Sequence, residues 1–111
     1  MAYDEDLADR LRELTAGHPD VSERRMFGGL AFLVAGRMSV AAIAEGGLMV
    51  RVDPQADETL LGRPHVRPFE MRGRPLEGWI RVDAGGLETD DDLREWVERG
   101  VAYARSLPAK A

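Results

Sequence analysis

The sequence contains no cysteine, and among its 111 residues there are one lysine and two histidines. Without cysteine there is no disulfide, no thiolate nucleophile and no cysteine-ligated metal. Zinc usually takes three or four clustered ligands, and His18 and His65 lie far apart in turn-like segments, where we expect solvent-exposed side chains. We therefore predict no catalytic residue, no metal and no cofactor.

A long apolar segment is also missing. The longest unbroken apolar run, residues 30–35, is far shorter than the roughly 20 residues that span a bilayer. The first ten residues, MAYDEDLADR, are acidic and lack the apolar centre of a signal peptide. We expect a cytoplasmic protein with no membrane partner.

The charge is acidic at both ends and mildly basic in the middle. The formal net charge is −5, and residues 21–81 carry nine arginines against seven acids. A protein that binds nucleic acid through charge normally shows a stronger basic stripe. The charge distribution therefore does not favour nucleic-acid binding.

Helical spacing predicts three helices in a single domain that takes in residues 1–111. The first is expected over residues 4–16, with Tyr3, Leu7 and Leu11 on one face, and a short second helix over residues 54–61. The third, over residues 89–107, has a continuous apolar stripe and a capping pair formed by Thr89 and Asp92. Its stripe is Leu93, Trp96, Val97, Gly100, Val101, Ala104 and Leu107. Gly100 on this stripe suggests close approach of the helix to a sheet.

Strands are predicted in two blocks. The first, about residues 22–52, holds a strand over 22–27, a hairpin in LAFLVAGRMSVAAIA and a strand in LMVRVD; the second holds FEMR and GWIRVD around the turn GRPLE. Helices in this order cannot supply every crossover of a parallel sheet. The sequence predicts a two-layer α+β domain with three helices and an antiparallel sheet of about five strands, or one strand more.

The paired glycines Gly28 and Gly29 raise a choice between a phosphate-binding loop and a bend between strands. A phosphate loop leads into a helix whose free N–H groups face the anion, whereas these glycines lead into the apolar strand LAFLV. The sequence therefore favours a tight turn or bulge joining two strands. An anion-binding nest beside Arg24 and Arg25 is the alternative.

Arginines gather around the second hairpin, with Phe69 and Trp79 between them. This combination suits stacking on a partner or on single-stranded nucleic acid. Because Glu70 and Glu77 lie among them, we predict instead a solvated strand face with cross-strand ion pairs. The arginines are Arg63, Arg67, Arg72, Arg74 and Arg81.

A sheet covered by helices on one side has a second side to account for. If residues 48, 50 and 52 face the helices, Met49 and Arg51 face away. They would be joined either by Ala41 and Ile43, or by Met38, Val40 and Ala42. The result is a mildly apolar face that could self-associate, unless a second helix covers it.

Several stretches together resemble the N-terminal domain of TfoX, also called Sxy, a family that regulates natural competence in some bacteria. They are RRMFGGLAFLVAGRM, GLMVRVDP, RPFEMRGRPLEGWIRVD and WVERGVAYARSLP. The resemblance implies a two-layer domain in the order α-β3-α-β2-α and supplies no catalytic motif. Competence regulators carry a second, C-terminal helical domain that is absent from this sequence, so we expect a stand-alone bacterial member.

We therefore expect a non-enzymatic regulatory domain that acts through protein contacts, with an unknown partner or as a homodimer. The partner-facing segment is predicted to be Arg24, Arg25, Met26, Phe27, Gly28 and Gly29. A core position is the alternative for Met26 and for Phe27.

Two other functions stay open. One is nucleic-acid binding through the arginine-rich sheet region; the other is a small-molecule enzyme, for which the sequence offers only scattered carboxylates and His18, His65, Tyr3 or Tyr103.

Overall fold

A computed structural model describes residues 4–26 and 28–108. Tyr3 and Phe27, predicted on the first helix and in the partner-facing segment, lie outside these ranges. The described chain forms three helices and six strands: α1 (Glu5–Thr15), β1 (Val21–Met26), β2 (Gly29–Val34), β3 (Arg37–Ala42), β4 (Leu48–Arg51), α2 (Asp57–Leu61), β5 (Val66–Met71), β6 (Arg74–Val82) and α3 (Asp90–Ser106). None of these helices is long and apolar enough to cross a membrane.

All six strands belong to one antiparallel sheet, in the order β1-β2-β3-β4-β6-β5. The predicted α+β class is confirmed. The sheet has six strands, the one more than five that the prediction allowed, and four of them lie in the first block, where the extra strand was expected. Strands β1 and β5 form the two edges.

The main core lies between one face of the sheet and the helices α1 and α3. Both helices are amphipathic and capped: the Asp4 carboxylate accepts hydrogen bonds from the backbone N–H of Asp6 and Leu7. The Thr89 hydroxyl accepts one from the backbone N–H of Asp92. This is the half of the predicted capping pair that Thr89 supplies. Fully buried side chains of this core include Leu11, Phe32, Val34, Leu48, Val50, Ile80, Leu93, Val97 and Val101.

A β-bulge fixes how α3 meets the sheet. The register between β2 and β3 shifts after Phe32, which leaves Ser39 as an extra residue of β3. Ser39 is fully buried, and its hydroxyl donates a hydrogen bond of 2.8 Å to the carbonyl of Phe32. A Cβ atom at Gly100 would lie 2.7 Å from the Ser39 carbonyl oxygen. Gly100 thus permits the close approach that the sequence predicted.

Two boundaries differ from the prediction. The predicted helix over residues 54–61 is divided into a 3₁₀ turn, Pro54–Ala56, and α2. The second hairpin turns at Arg72 and Gly73, whose φ angles are 56° and 77°, so β6 begins earlier than expected. Such a two-residue turn suits hairpins. Pro75 is tolerated in β6 because this end of the strand pairs with β5 alone.

Ion pairs connect the helices to the loops and to the edge strand. The two terminal guanidinium nitrogens of Arg63 donate hydrogen bonds to the Glu95 carboxylate of α3, at 2.6 and 3.0 Å. These hydrogen bonds, together with one from Arg99, lower the pKa of Glu95 from 4.5 to about 2. On the other side, Arg12 of α1 contacts Glu23 of β1.

We predict that Gly100→Ala destabilises the protein, although alanine is the better helix former by about 1 kcal/mol. The new methyl group would meet backbone at the bulge, which cannot move aside as a flexible side chain can. Overpacking of this kind costs about 1–3 kcal/mol. Urea unfolding measures the difference. Gly17→Ala is the matched control, since no atom lies within 4 Å of a Cβ there. Equal stabilities for the two variants would contradict the tight contact.

The Glu95 carboxyl should titrate with a pKa of about 2. Because this pKa is depressed, the ion pair stabilises the fold above the ordinary value of 4.5 and is lost as the pH falls toward the folded value. Its contribution is small, since the Glu95 side chain is 42% exposed. Carboxyl ¹³C NMR should show the pKa rising toward 4.5 in Arg63→Gln and unchanged in Arg94→Gln. A pKa that Arg63→Gln leaves unchanged would disprove the assignment.

Candidate interaction surface on the helix-free face of the sheet

The sheet face opposite α1 and α3 carries a second apolar cluster. Its centre is Ala31, Leu33, Ala41 and Met49, each at most 8% exposed. Around the centre lie the partly buried side chains of Met26, Met38, Ile43, Phe69 and Trp79. None of these nine residues belongs to a helix of the described chain. We call this side the helix-free face.

Strand pairing places one continuous row of side chains across the helix-free face. Ala31, Ala41 and Met49 are directly paired neighbours on β2, β3 and β4. Arg24 of β1 pairs with Ala31, and Arg81 of β6 pairs with Met49 on one side and with Arg67 on the other. Directly opposite residues point to the same side of a sheet. The row is therefore apolar in the middle and has arginines at both ends.

The bulge at Ser39 decides which residues of β3 reach this face. Without it, side chains three positions apart would point to opposite sides. With it, Met38 and Ala41 both contribute to the same cluster. Met49 and Arg51 face away from the helices as predicted, but β3 combines parts of both predicted sets, Ala41 and Ile43 from one and Met38 from the other.

The face is concave, because the two edges of the sheet line one pocket. Met26 of β1 and Met71 of β5 line a pocket of about 110 Å³. In a flat sheet these edges would be roughly 24 Å apart, at about 4.8 Å per strand. The hairpin β5–β6 bends over the face where its register becomes irregular, after Pro68. We call this space the methionine pocket; its lining includes Met26, Met38, Met49, Met71, Ala41, Ile43 and Phe69.

A more open groove of about 520 Å³ adjoins the methionine pocket. Three arginines line it, Arg24, Arg37 and Arg51, and we call it the arginine groove. Met26 and Met38 line both spaces. Within the described ranges, none of the three guanidinium groups has a carboxylate within 4.0 Å. Arg37 donates to the carbonyl of Pro108, and Arg51 lies over the ring of Trp79, 5.1 Å from its centroid.

The arginines at the other end of the face are neutralised. Asp83 lies 2.9 Å from Arg67 and 3.5 Å from Arg81. The predicted cross-strand pairing with Glu70 and Glu77 does not form: among the residues that the structure describes, neither carboxylate has an ion-pair partner. Asp83 takes their place because it immediately follows β6, beside both guanidinium groups.

The residues of the predicted partner-facing segment do not share one surface. Arg24 and Met26 lie on the helix-free face, whereas Arg25 pairs with Leu30 and therefore points to the helix side. Gly28 has φ 75° in the connection between β1 and β2, and Gly29 begins β2. The connection is the strand-to-strand turn that the sequence favoured. A Cβ at Gly29 would lie 2.3 Å from the Ala42 carbonyl oxygen, so only glycine fits there.

The residues that join Arg24 and Met26 on this surface come from elsewhere in the chain: Met38, Arg51, Phe69 and Met71. Sequence reasoning grouped none of them with the partner-facing segment. The sequence did indicate part of this surface: alternate residues of the strand LMVRVD point to opposite faces of the sheet, which placed Met49 and Arg51 away from the helices. The role of the segment in partner binding stays a prediction.

The two histidines lie outside this surface and apart from each other. His65 is exposed as predicted, and its ring lies beside Gly85. His18 is half-buried instead of exposed, because its ring nitrogens lie 3.2 Å from Glu98 and 3.2 Å from Arg105 of α3. Neither histidine lines the methionine pocket or the arginine groove.

The exposure of the four methionines predicts their order of oxidation by hydrogen peroxide, since susceptibility follows accessibility. Met71, which is 40% exposed, should react first, and Met49, which is 5% exposed, last. Peptide mass spectrometry after timed exposure measures the order, and the urea-unfolded chain, in which the rates should converge, is the control. Equal rates for Met49 and Met71 in the folded protein would contradict the burial of Met49.

No curated protein matches the chain. Its fold resembles that of a crystallised protein from Pseudomonas syringae, a structural genomics target, with a TM-score of 0.63. The similarity covers 87% of this chain and 97% of that one at 13% sequence identity, which shows a common fold and nothing more.

The model of the TfoX N-terminal domain matches residues 13–104. This range takes in all six strands, the helix-free face and most of α3. The match agrees with the resemblance seen in the sequence, and the chain belongs to the TfoX N-terminal domain family.

Proposed function

We propose that this domain is a non-enzymatic regulatory module that binds a protein through its helix-free face. The observation that carries the proposal is the nine-residue apolar cluster, which no helix of the described chain covers and which adjoins the arginine groove. The centre of the cluster is buried, but Leu33 lines the arginine groove, and Ala41 and Met49 line the methionine pocket beside the exposed Met71. Clefts that are lined mainly by apolar side chains and a few polar groups are typical of binding sites. Methionine and arginine, both present here, are enriched in protein interfaces.

The chemistry of the face supports binding rather than catalysis. Apart from the Glu45 carboxylate in the lining of the methionine pocket, the side chains of the cluster and the two spaces are aliphatic, thioether, aromatic or guanidinium groups. General acid–base and nucleophilic catalysis need groups such as imidazole, carboxylate, thiol or an activated hydroxyl. Membership of a family that includes competence regulators is in keeping with a regulatory role.

A homodimer remains a proposal, and charge disfavours its formation through this face. In a two-fold dimer the same patch meets itself, so an arginine groove close to the axis would face the arginine groove of the other copy. Like charges that are brought together at an interface cost on the order of several kcal/mol. The face is better suited to a different partner.

Nucleic-acid binding is the second candidate, because Phe69 and Trp79 share a face with arginines. Three observations make it the weaker one. Arg51 already occupies one side of the Trp79 ring, Asp83 neutralises Arg67 and Arg81, and the net charge is −5. Base stacking needs a free ring, and phosphate binding needs free cations.

Site-specific photo-crosslinking in the native host tests the proposal. A benzoylphenylalanine replacing Met71, at the exposed rim of the methionine pocket, should give a discrete adduct that is sensitive to protease and resistant to nuclease. The same probe at Arg94, on the exposed side of α3, is the control and should give none.

The nature of the adduct decides between the two candidates. An adduct that nuclease removes would assign the face to nucleic acid. Adducts from position 94 alone, or none from position 71 in cells that express the protein, would refute binding through the helix-free face. Thermal unfolding of each probe-bearing protein shows whether it is folded.

A further inference from the structure

We propose that the protein segment recognised by the helix-free face is both acidic and apolar. It places one or more carboxylates in the arginine groove and a single large apolar side chain in the methionine pocket. This inference rests on the proposed function and adds the chemical class of the partner. It is carried by the distribution of ion pairs over the whole chain and by the joining of the two spaces.

Most arginines of this protein already have an acidic partner. Eight of the fourteen lie within 4.0 Å of a carboxylate: Arg10, Arg12, Arg63, Arg67, Arg81, Arg94, Arg99 and Arg105. Acids outnumber basic residues by 20 to 15, so acidic partners are abundant. Over the described ranges, the other six have no such partner, and three of them line the arginine groove.

Carboxylates are also missing from the strand positions around the groove. Where the register is regular, β1 presents Ser22, Arg24 and Met26 to the helix-free face, and β4 presents Met49 and Arg51. Glu23, the one acid of β1, points to the other side and pairs with Arg12. The groove is thus positive within an acidic molecule, and a carboxylate of another chain complements it.

The methionine pocket limits the apolar part of the ligand. Its volume of about 110 Å³ is of the same order as the roughly 150 Å³ of an engineered apolar cavity that binds one benzene molecule. That is the scale of one large side chain rather than of a helix face. Thioether side chains are flexible and polarisable and make favourable contacts with aromatic rings, so the pocket can adapt to leucine, phenylalanine or methionine.

Met26 and Met38 join the two spaces, which sets the spacing within the ligand. Because both side chains line the pocket and the groove, the apolar side chain and the carboxylate must be close neighbours in the partner. A short extended peptide advances about 3.3 Å per residue and can fill both spaces. We expect the acidic residue within about three positions of the apolar one.

A phage library of random 12-residue peptides provides the test, with parallel selections on the wild type, on Arg24→Gln/Arg51→Gln and on the control Arg94→Gln. The wild type and the control should enrich peptides with Asp or Glu within three positions of a large apolar residue. For a synthetic copy of an enriched peptide, Arg24→Gln/Arg51→Gln should raise the Kd at least about tenfold. Methyl NMR of ¹³C-labelled methionine should show the signals of Met26 and Met38 shifting on binding.

Different contrary results would overturn different parts of the proposal. Enriched peptides without acidic residues, or peptides that bind the double variant as well as the wild type, would overturn the acidic class but leave an interaction surface in place. A library that yields no binder would also overturn it, and crosslinking from position 71 would then decide the proposed function alone.

A dimer that the double substitution dissociates, seen by sedimentation velocity, would identify a second copy as the occupant. Oligouridylate binding lost in the double variant would assign the groove to nucleic acid. Thermal unfolding checks that the variants fold.

Discussion

The contact between α3 and the bulge of β3 is the constraint on which both sides of the sheet depend. Ser39 is inserted as an extra residue, its hydroxyl satisfies the Phe32 carbonyl, and its own carbonyl lies where a side chain at Gly100 would be. The helix can therefore pack closely on one face. On the other face the same insertion brings Met38 and Ala41 together. One residue thus couples core packing to the composition of the candidate surface.

Curvature gives this surface an enclosed pocket. A flat sheet of six strands would spread the methionines over the width of the domain. Here the bent β5–β6 hairpin carries Phe69 and Met71 back over β3 and β4, so the edges of the sheet enclose a pocket between them. The face consequently has a buried centre, although no helix of the described chain covers it.

Charge is separated between the layers. Acidic residues begin α1 and α3, where the helix dipole favours them, and most of their neighbouring arginines are engaged in ion pairs. The sheet side keeps Arg24, Arg37 and Arg51 without carboxylate partners among the described residues. This separation is the basis of the proposal that the partner is acidic, because opposite charges complement each other across an interface.

The sequence by itself determined the class of fold, the three helices, the turn at Gly28 and the role of Gly100, because periodicity, caps and glycine conformations are local properties. It also showed that Met49 and Arg51 face away from the helices. Only the tertiary structure decided that Met26 and Met38 line one space together with Arg24 and another together with Met71. It also decided that Asp83 rather than Glu70 or Glu77 neutralises Arg67. Those outcomes depend on a bulge, which changes the side of the sheet to which later residues of the strand point, and on the bending of a hairpin. Both result from packing between residues that are distant in the chain.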